Sequence, residues 1–313
     1  MRYVGNEPNN FISFNCDEFG ENCEKWRIVG VFNNVPTPDG NQTLVKITTA
    51  ESIGSYSWDA SDSNTNEGKG INQWGESGTY EGADLMRELN TDYLGTTTVG
   101  TEGKWYGPNN TKSVNMPSSV IGTDQDFIQT VIWNTGSNPS SINLKYENSN
   151  IELYAKDVYD FERGSETSNT CSLIFAEDPY CNDTVTRTAT WEGKVALIYY
   201  SDYVYAIKSN GSKTKTQCLS ENVATWSGCD NSWLYSSYYN GRTVTANTIT
   251  LTRINNGHYN GALIVGGMST MLTGFVGSPY PIHPTLYLQP HIHVIGGNGS
   301  ESNPYKITSG LSI

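Results

Sequence analysis

Six cysteines fall as three close pairs: Cys16 with Cys23, Cys171 with Cys181, and Cys218 with Cys229. No CxxC and no Cys/His finger spacing accompanies them, so the pattern reads as disulfides and not as a zinc site. Six cysteines allow many connectivities. Pairing between neighbours is the simplest, because each bridge then clips one loop. A chain stapled this way belongs outside the cytoplasm. Its first residues, MRYVGNEPNN, are polar and hold no signal peptide, and no apolar run could cross a membrane. The expectation is a soluble portion of an exported protein, its export signal or anchor removed.

The surface of such a protein is set by its charge, which is sparse and uneven. Only 16% of residues are charged, the net charge is −13, and Tyr (20) and Gly (31) are abundant. Low charge with many Thr, Tyr and Gly favours strands and turns over helices. The negative sign excludes nucleic acid and anionic membrane as partners, since both need a basic face. Positions 231–300 contain no Asp or Glu, yet hold all four His and the cations Arg242 and Arg253. Two readings stand: a neutral surface with its own task, or strands buried on both faces, which exclude charge anyway.

Hydrophobic periodicity places three helices in the first half of the chain. Ala83–Asn90 puts Ala83, Met86 and Leu89 on one face. Asp124–Asn134 clusters Phe127, Ile128, Val131 and Ile132 before Gly136. Ile151–Arg163 carries an apolar stripe, a capping box from Ser149 and Glu152, and a stop at Gly164. Strands are expected at Trp26–Phe32, Leu44–Thr48, Lys194–Tyr199, Thr248–Ile254, Ala262–Val265 and Leu286–Leu288. The turn Asn255-Asn256-Gly257 makes the fourth and fifth antiparallel, and Ile292–Ile295 with Tyr305–Ile307 form a terminal hairpin. The fold class is α+β.

Several phrases, taken in order, resemble a family of secreted or surface-attached proteins of Gram-positive gut bacteria, often fused behind a pilin-like helix. They are NNFISFN…EKWRIVGVF (9–32), ESIGSYSWD (51–59), GINQW…ADLMRELN (70–90) and CNDTVTRTATWEGKVALIYYSDYVYA (181–206). CDNSWLYSS (229–237) and IGGNGSESNPYKI (295–307) complete the set. The resemblance implies a C-type lectin-like fold, shared with formylglycine-generating enzymes and with the variable proteins of diversity-generating retroelements. Its implied features are antiparallel sheets, two to three flanking helices, paired first and last strands, and a C-terminal β-hairpin. One domain would span 1–313, with 1–230 as scaffold with insertions, 231–290 as ligand-display segment and 291–313 as terminal hairpin. The family's Val-Arg-Pro-x-Leu-Tyr-Leu strand stands here as Ile282-His283-Pro284-Thr285-Leu286-Tyr287-Leu288, with His283 in place of Arg. Its Trp-Thr-Leu-Ser-Pro stretch is only faintly visible at Ile249–Thr252. Related variable proteins diversify this region by mutating adenines, and the local mix of Asn, Tyr, Gly, Ser, Thr and His is compatible with that history.

Candidate ligand-binding residues are Tyr235, Tyr238, Tyr239, Arg242, Arg253, His258, Tyr259, Tyr280 and His283. Tyr supplies large rigid area and a hydroxyl at low entropic cost. Trp233 and Tyr235 equally suit a core. His291 and His293 share a strand face with His283 nearby, but without a carboxylate in the segment no zinc site is expected. Asp59, Asp62, Asn64 and Asn66 offer oxygen ligands, yet Gly68 is misplaced for an EF-hand, so the loop reads as solvated. A structural calcium ion is the one cofactor left open. No HExxH, GxSxG or phosphate loop is present. The reactive C-terminal cysteines of formylglycine-generating enzymes have no counterpart after Cys229. The expectation is therefore no catalytic residue. Instead it is an extracellular, adhesin-type protein, secreted or attached to a pilus or cell wall through a missing N-terminal segment. Its partner would be a protein or glycan at a host or bacterial surface. Two alternatives remain: a glycan-active enzyme using Asp124/Asp126 or Asp157/Asp160, and a pilus subunit without a ligand.

Overall fold

In the computed structural model the described residues are 1–17, 21–58, 84–91, 93–94, 123–134, 154–163, 190–209, 212–223, 226, 228–229, 232–234, 248–255, 260–265, 271–275 and 279–309. They form mixed α+β structure, with mostly antiparallel sheets and a few short helices.

The main sheet grows from the apolar runs near the N-terminus. β1 (Phe11–Phe14) pairs antiparallel with β2 (Glu24–Thr37), and β2 with β3 (Gly40–Thr49). The β2–β3 turn is Thr37-Pro38-Asp39-Gly40, and Gly40 takes φ +106°. Pro fits the first turning position, and glycine alone adopts the final positive φ cheaply. β2 carries bulges between Ile28 and Gly30 and between Phe32 and Val35, which raise the local twist.

The other half of this sheet comes from far along the chain. α1 (Asp84–Asn90) precedes β5 (Val131–Asn134), α2 (Ala155–Glu162), β6 (Thr190–Gly193), β7 (Val195–Leu197), α3 (Tyr200–Tyr205) and α4 (Lys215–Leu219). β4 (Ser55–Tyr56) lies earlier; β8 (Thr248–Asn255), β9 (Asn260–Val265), β10 (Met271–Phe275), β11 (Tyr280–Pro281) and β12 (Pro284–Leu288) follow. β12 inserts between β3 and β7, giving the order β1-β2-β3-β12-β7. All five of its residues are buried. That is the pattern of a strand covered on both faces, and such strands are mostly uncharged.

Successive strand residues point to opposite faces, and Ile28 and Val29 accordingly enter two different apolar clusters. The first holds Trp26, Ile47, Trp58, Leu85, Leu89 and Leu286. The second holds Val158, Tyr200, Tyr203, Trp226 and Trp233 under α2 and α3. Asn90, the last residue of α1, pins the β7 edge. Its side-chain amide donates to the carbonyls of Met86 (2.9 Å) and Val195 (2.8 Å), and its oxygen accepts from the Lys194 and Val195 amides (3.0 Å each).

Several expectations hold and some do not. α1 fills the first expected helix; Ala83 lies outside the described residues. α2 occupies the interior of the expected Ile151–Arg163 helix, while Ser149, Glu152 and Gly164 lie outside the described residues. The expected helix over Asp124–Asn134 is wrong. Thr123–Phe127 makes a 3-10 turn, and Val131–Asn134 is strand β5, paired with β6. Val131, Ile132 and Trp133 are β-branched or aromatic, and that preference overrides a helical spacing. The expected strand Lys194–Tyr199 is shortened, because Tyr199 becomes the N-cap residue of α3.

β8 and β9 are antiparallel as expected, and β10 extends them into a separate three-stranded sheet, β10-β9-β8. The terminal hairpin is present as β13 (Ile292–Gly296) and β14 (Lys306–Ser309). The N- and C-terminal regions also meet. Ile12 bridges Tyr305 in parallel, with the Ser13 amide donating to the Tyr305 carbonyl and the Tyr305 amide to that of Phe11, both at 2.9 Å.

Candidate functional site

The acid-free segment is divided by the fold. Its β12 is a fully buried strand of the main sheet, whereas β8–β10 stand as a sheet of their own. That second sheet is tied to the body at Leu251, which is fully buried and whose amide donates to the Ile198 carbonyl at 2.9 Å. Arg253 lies on β8 opposite Ala262 of β9. Tyr280, on β11, pairs with Tyr56 of β4 and is half-buried against the first cluster. Tyr235, Tyr238, Tyr239, Arg242, His258 and Tyr259 lie outside the described residues.

His283, expected among the ligand-binding residues, lies in the interior. It is 3% exposed, and its Nδ1 donates to the Thr49 carbonyl at 3.2 Å. A carbonyl only accepts, so Nδ1 carries the proton of the neutral ring. Burial pushes the imidazole down to about 4, with the Thr49 bond opposing in part. Trp233 is likewise interior, its indole donating to the Tyr3 carbonyl at 3.1 Å. Cys16–Cys23 and Cys218–Cys229 are bonded neighbours, with Cα atoms 3.8 and 5.6 Å apart. Cys171 and Cys181, and the oxygen-rich loop of Asp59, Asp62, Asn64 and Asn66, lie outside the described residues. Among the described residues no group of His, Cys, Asp and Glu is placed to hold a metal.

Three of the four carboxylates weighed for catalysis, Asp124, Asp157 and Asp160, have local roles. Asp160 pairs with Lys156 one turn away on α2, and Asp157 accepts from the Tyr154 amide. Asp124 accepts from the Cys16 amide at 3.3 Å, and burial raises its pKa against that bond. A polar groove of about 470 Å³ opens elsewhere, lined by Glu24, Lys25, Thr49, Glu51, Ser52 and Ile53.

The strongest chemistry lies inside the protein, at residues that sequence reasoning does not single out. Lys46 on β3 sits between Gly30 of β2 and Tyr287 of β12, and its side chain is fully buried. Its Nζ lies 2.6 Å from Oδ2 of Asp202, also fully buried, in the first turn of α3. Arg2 approaches the other oxygen, Oδ1, at 3.2 Å and donates to the Ser201 carbonyl at 3.1 Å. The rings of Tyr199, Phe32, Tyr287 and Trp133 surround Nζ, with centroids at 4.5, 5.0, 5.2 and 5.7 Å. Close by, buried Glu162 accepts from the Ser201 amide at 2.9 Å and meets Arg163 at 3.4 Å.

The two partners respond differently to burial. Desolvation brings the Lys46 ammonium down to about 8, although Asp202 opposes the change. Burial alone would raise Asp202, but Lys46 and Arg2 outweigh it and hold the carboxyl below its ordinary range. Asp202 faces two cations and Lys46 one carboxylate, so the amine is the group closer to neutrality. One signal is available in sequence: a lone Lys inside the apolar run Leu44-Val45-Lys46-Ile47, where charge needs a buried partner.

What fold and site define together is a disulfide-bonded α+β protein with a buried ionic centre and a separate acid-free sheet. No family model, curated protein or solved structure matches the chain.

Proposed function

We propose that this chain is an extracellular binding protein that displays residues 231–290 as a recognition surface on a C-type lectin-like scaffold. The observation that carries this reading is that β8–β10, built from the acid-free segment, form a sheet of their own beside the main sheet. A rigid framework holding a separate, charge-poor sheet suits the display of exchangeable side chains. The ligand is a protein or glycan at a host or bacterial surface, reached by Arg253 and by the tyrosines at 235, 238, 239 and 259. Disulfides agree with an oxidising, extracellular setting, and a pilus or cell-wall attachment would bring the surface to its partner. Diversification by a retroelement would leave a reverse-transcriptase gene and a near-copy of this segment, differing only at adenines, in neighbouring DNA.

A glycan array, backed by binding to host extracellular matrix, tests the reading with wild type, Arg253→Ala and the pair Tyr238→Ala/Tyr239→Ala. Saturable binding lost in the variants supports it. Binding indifferent to all three substitutions moves the surface elsewhere. Turnover of a glycan that stops on changing one carboxylate pair replaces it with the enzymatic alternative.

A further inference from the structure

We propose that Lys46 and Asp202 condense into an intramolecular amide, a covalent crosslink between β3 and the first turn of α3. The geometry already holds the reactants together: amine and carboxylate are 2.6 Å apart, both side chains are fully buried, and four aromatic rings wall off the amine. Fixing two groups at contact distance replaces a bimolecular encounter with a unimolecular one, worth several orders of magnitude in rate.

The step balances without any oxidant or co-reactant. A proton passes from the Lys46 ammonium to Oδ2 along their hydrogen bond, giving a neutral amine and a carboxylic acid. The Nζ lone pair then forms a bond to Cγ of Asp202, and the carbonyl electron pair moves to Oδ1. There Arg2, at 3.2 Å, faces the developing negative charge. A second proton moves from Nζ to Oδ2, the Oδ1 pair re-forms the carbonyl, and Oδ2 departs as water. The net change is one ammonium and one carboxylate giving one secondary amide and one water. The cations that hold Asp202 below its ordinary range oppose the first transfer, while burial favours the neutral pair. Burial brings the ammonium down to about 8, easing the first transfer, and it keeps solvent from returning to hydrolyse the product. The bond would join residues 156 apart in sequence and tie a central strand of the sheet to the helix that roofs it.

Intact-mass spectrometry of the reduced wild-type chain, followed by peptide mapping, tests this directly. The expected mass is one water below that of the sequence, with the Lys46 and Asp202 peptides recovered as a single branched species. Lys46→Met and Asp202→Ala each restore the full sequence mass. A wild-type mass equal to the sequence mass, or a missing water mapped to any other pair, overturns the proposal. The wild-type measurement decides by itself, so a variant that fails to fold does not alter the outcome.

Discussion

Replacing His283 with Asn should make the protein more acid-resistant than wild type. The ring is 3% exposed and its pKa falls from 6.5 to about 4 on folding. The unfolded chain therefore takes up a proton at a pH where the folded chain refuses it. The contribution of the neutral ring is complete above pH 6.5 and is lost as pH falls from there to about 4. The difference between the two values corresponds to about 3 kcal/mol over that window. Asn keeps an amide donor for the Thr49 carbonyl and does not titrate, so the variant is spared this loss on acidification. Denaturant unfolding at intervals from neutral pH down to about pH 4 measures it. Across that range the stability of wild type relative to the His283→Asn variant should fall by about 3 kcal/mol. Carboxylates elsewhere titrate in both proteins and cancel in the difference. Parallel curves, or an imidazole resonance of His283 titrating at the ordinary value in the folded protein, would refute the placement of a neutral ring in the core.

Four further outcomes follow, three from contacts in the structure and one from the cysteine spacing. Trp233→Ala should cost about 3–5 kcal/mol, because a fully buried indole bonded to the Tyr3 carbonyl is removed, and thermal unfolding reads the loss. Asn90→Ala removes all four bonds that pin the β7 edge; a loss of about 2–4 kcal/mol and faster exchange of the Lys194 and Val195 amides are expected. Opening Cys218–Cys229 by a double Ser substitution should cost about 2–3 kcal/mol for its short loop, read by denaturant unfolding, and non-reducing peptide mapping of wild type should also return Cys171 joined to Cys181.

Legibility in the sequence follows the physics of each element. The cores of β2 and β3, the β8–β9 pair and the terminal hairpin are readable because short apolar runs bounded by Gly and Asn turns have few other solutions, whereas the pairing of β2 with β3 comes only from the structure. Periodicity misleads at β5, since Phe127, Ile128, Val131 and Ile132 satisfy a helical spacing and only their β-branching argues for strand. α4 is too short to show a periodic stripe, and its one signal is the reciprocal capping box of Thr214 and Gln217, where the Gln217 amide donates to Thr214 Oγ1 at 3.2 Å. The ionic centre is legible only at Lys46, and its partners are hidden for a different reason. Arg2, Lys46 and Asp202 lie far apart in the chain, and no local pattern states that a bulged strand will set Gly30, which has no side chain, opposite Lys46.

The absence of acid between 231 and 300 has two competing explanations, and the fold weighs them differently in its different parts. β12 is buried on both faces, so its neutrality is the ordinary consequence of a central strand. The same holds for His283, whose neighbours are core residues and whose ring is neutral. β8–β10 form a separate sheet, in which β9 is the central strand and the neighbouring β8 residues Thr250 and Leu251 are both fully buried, so burial contributes to neutrality there as well. The part of the segment left to a recognition role is therefore smaller than composition alone suggests, and it includes the sheet that carries Arg253. The proposed recognition role accordingly falls to that sheet and to the tyrosine-rich stretch before it. Tyr280 is half-buried against the first cluster and paired with β4, and His283 is buried, which gives both residues a packing role. Substituting either with Ala should act through stability alone. Thermal unfolding would shift, while ligand affinity per folded molecule, measured on the folded fraction, stays at the wild-type value; a weakened affinity without a stability loss would return these residues to the recognition surface.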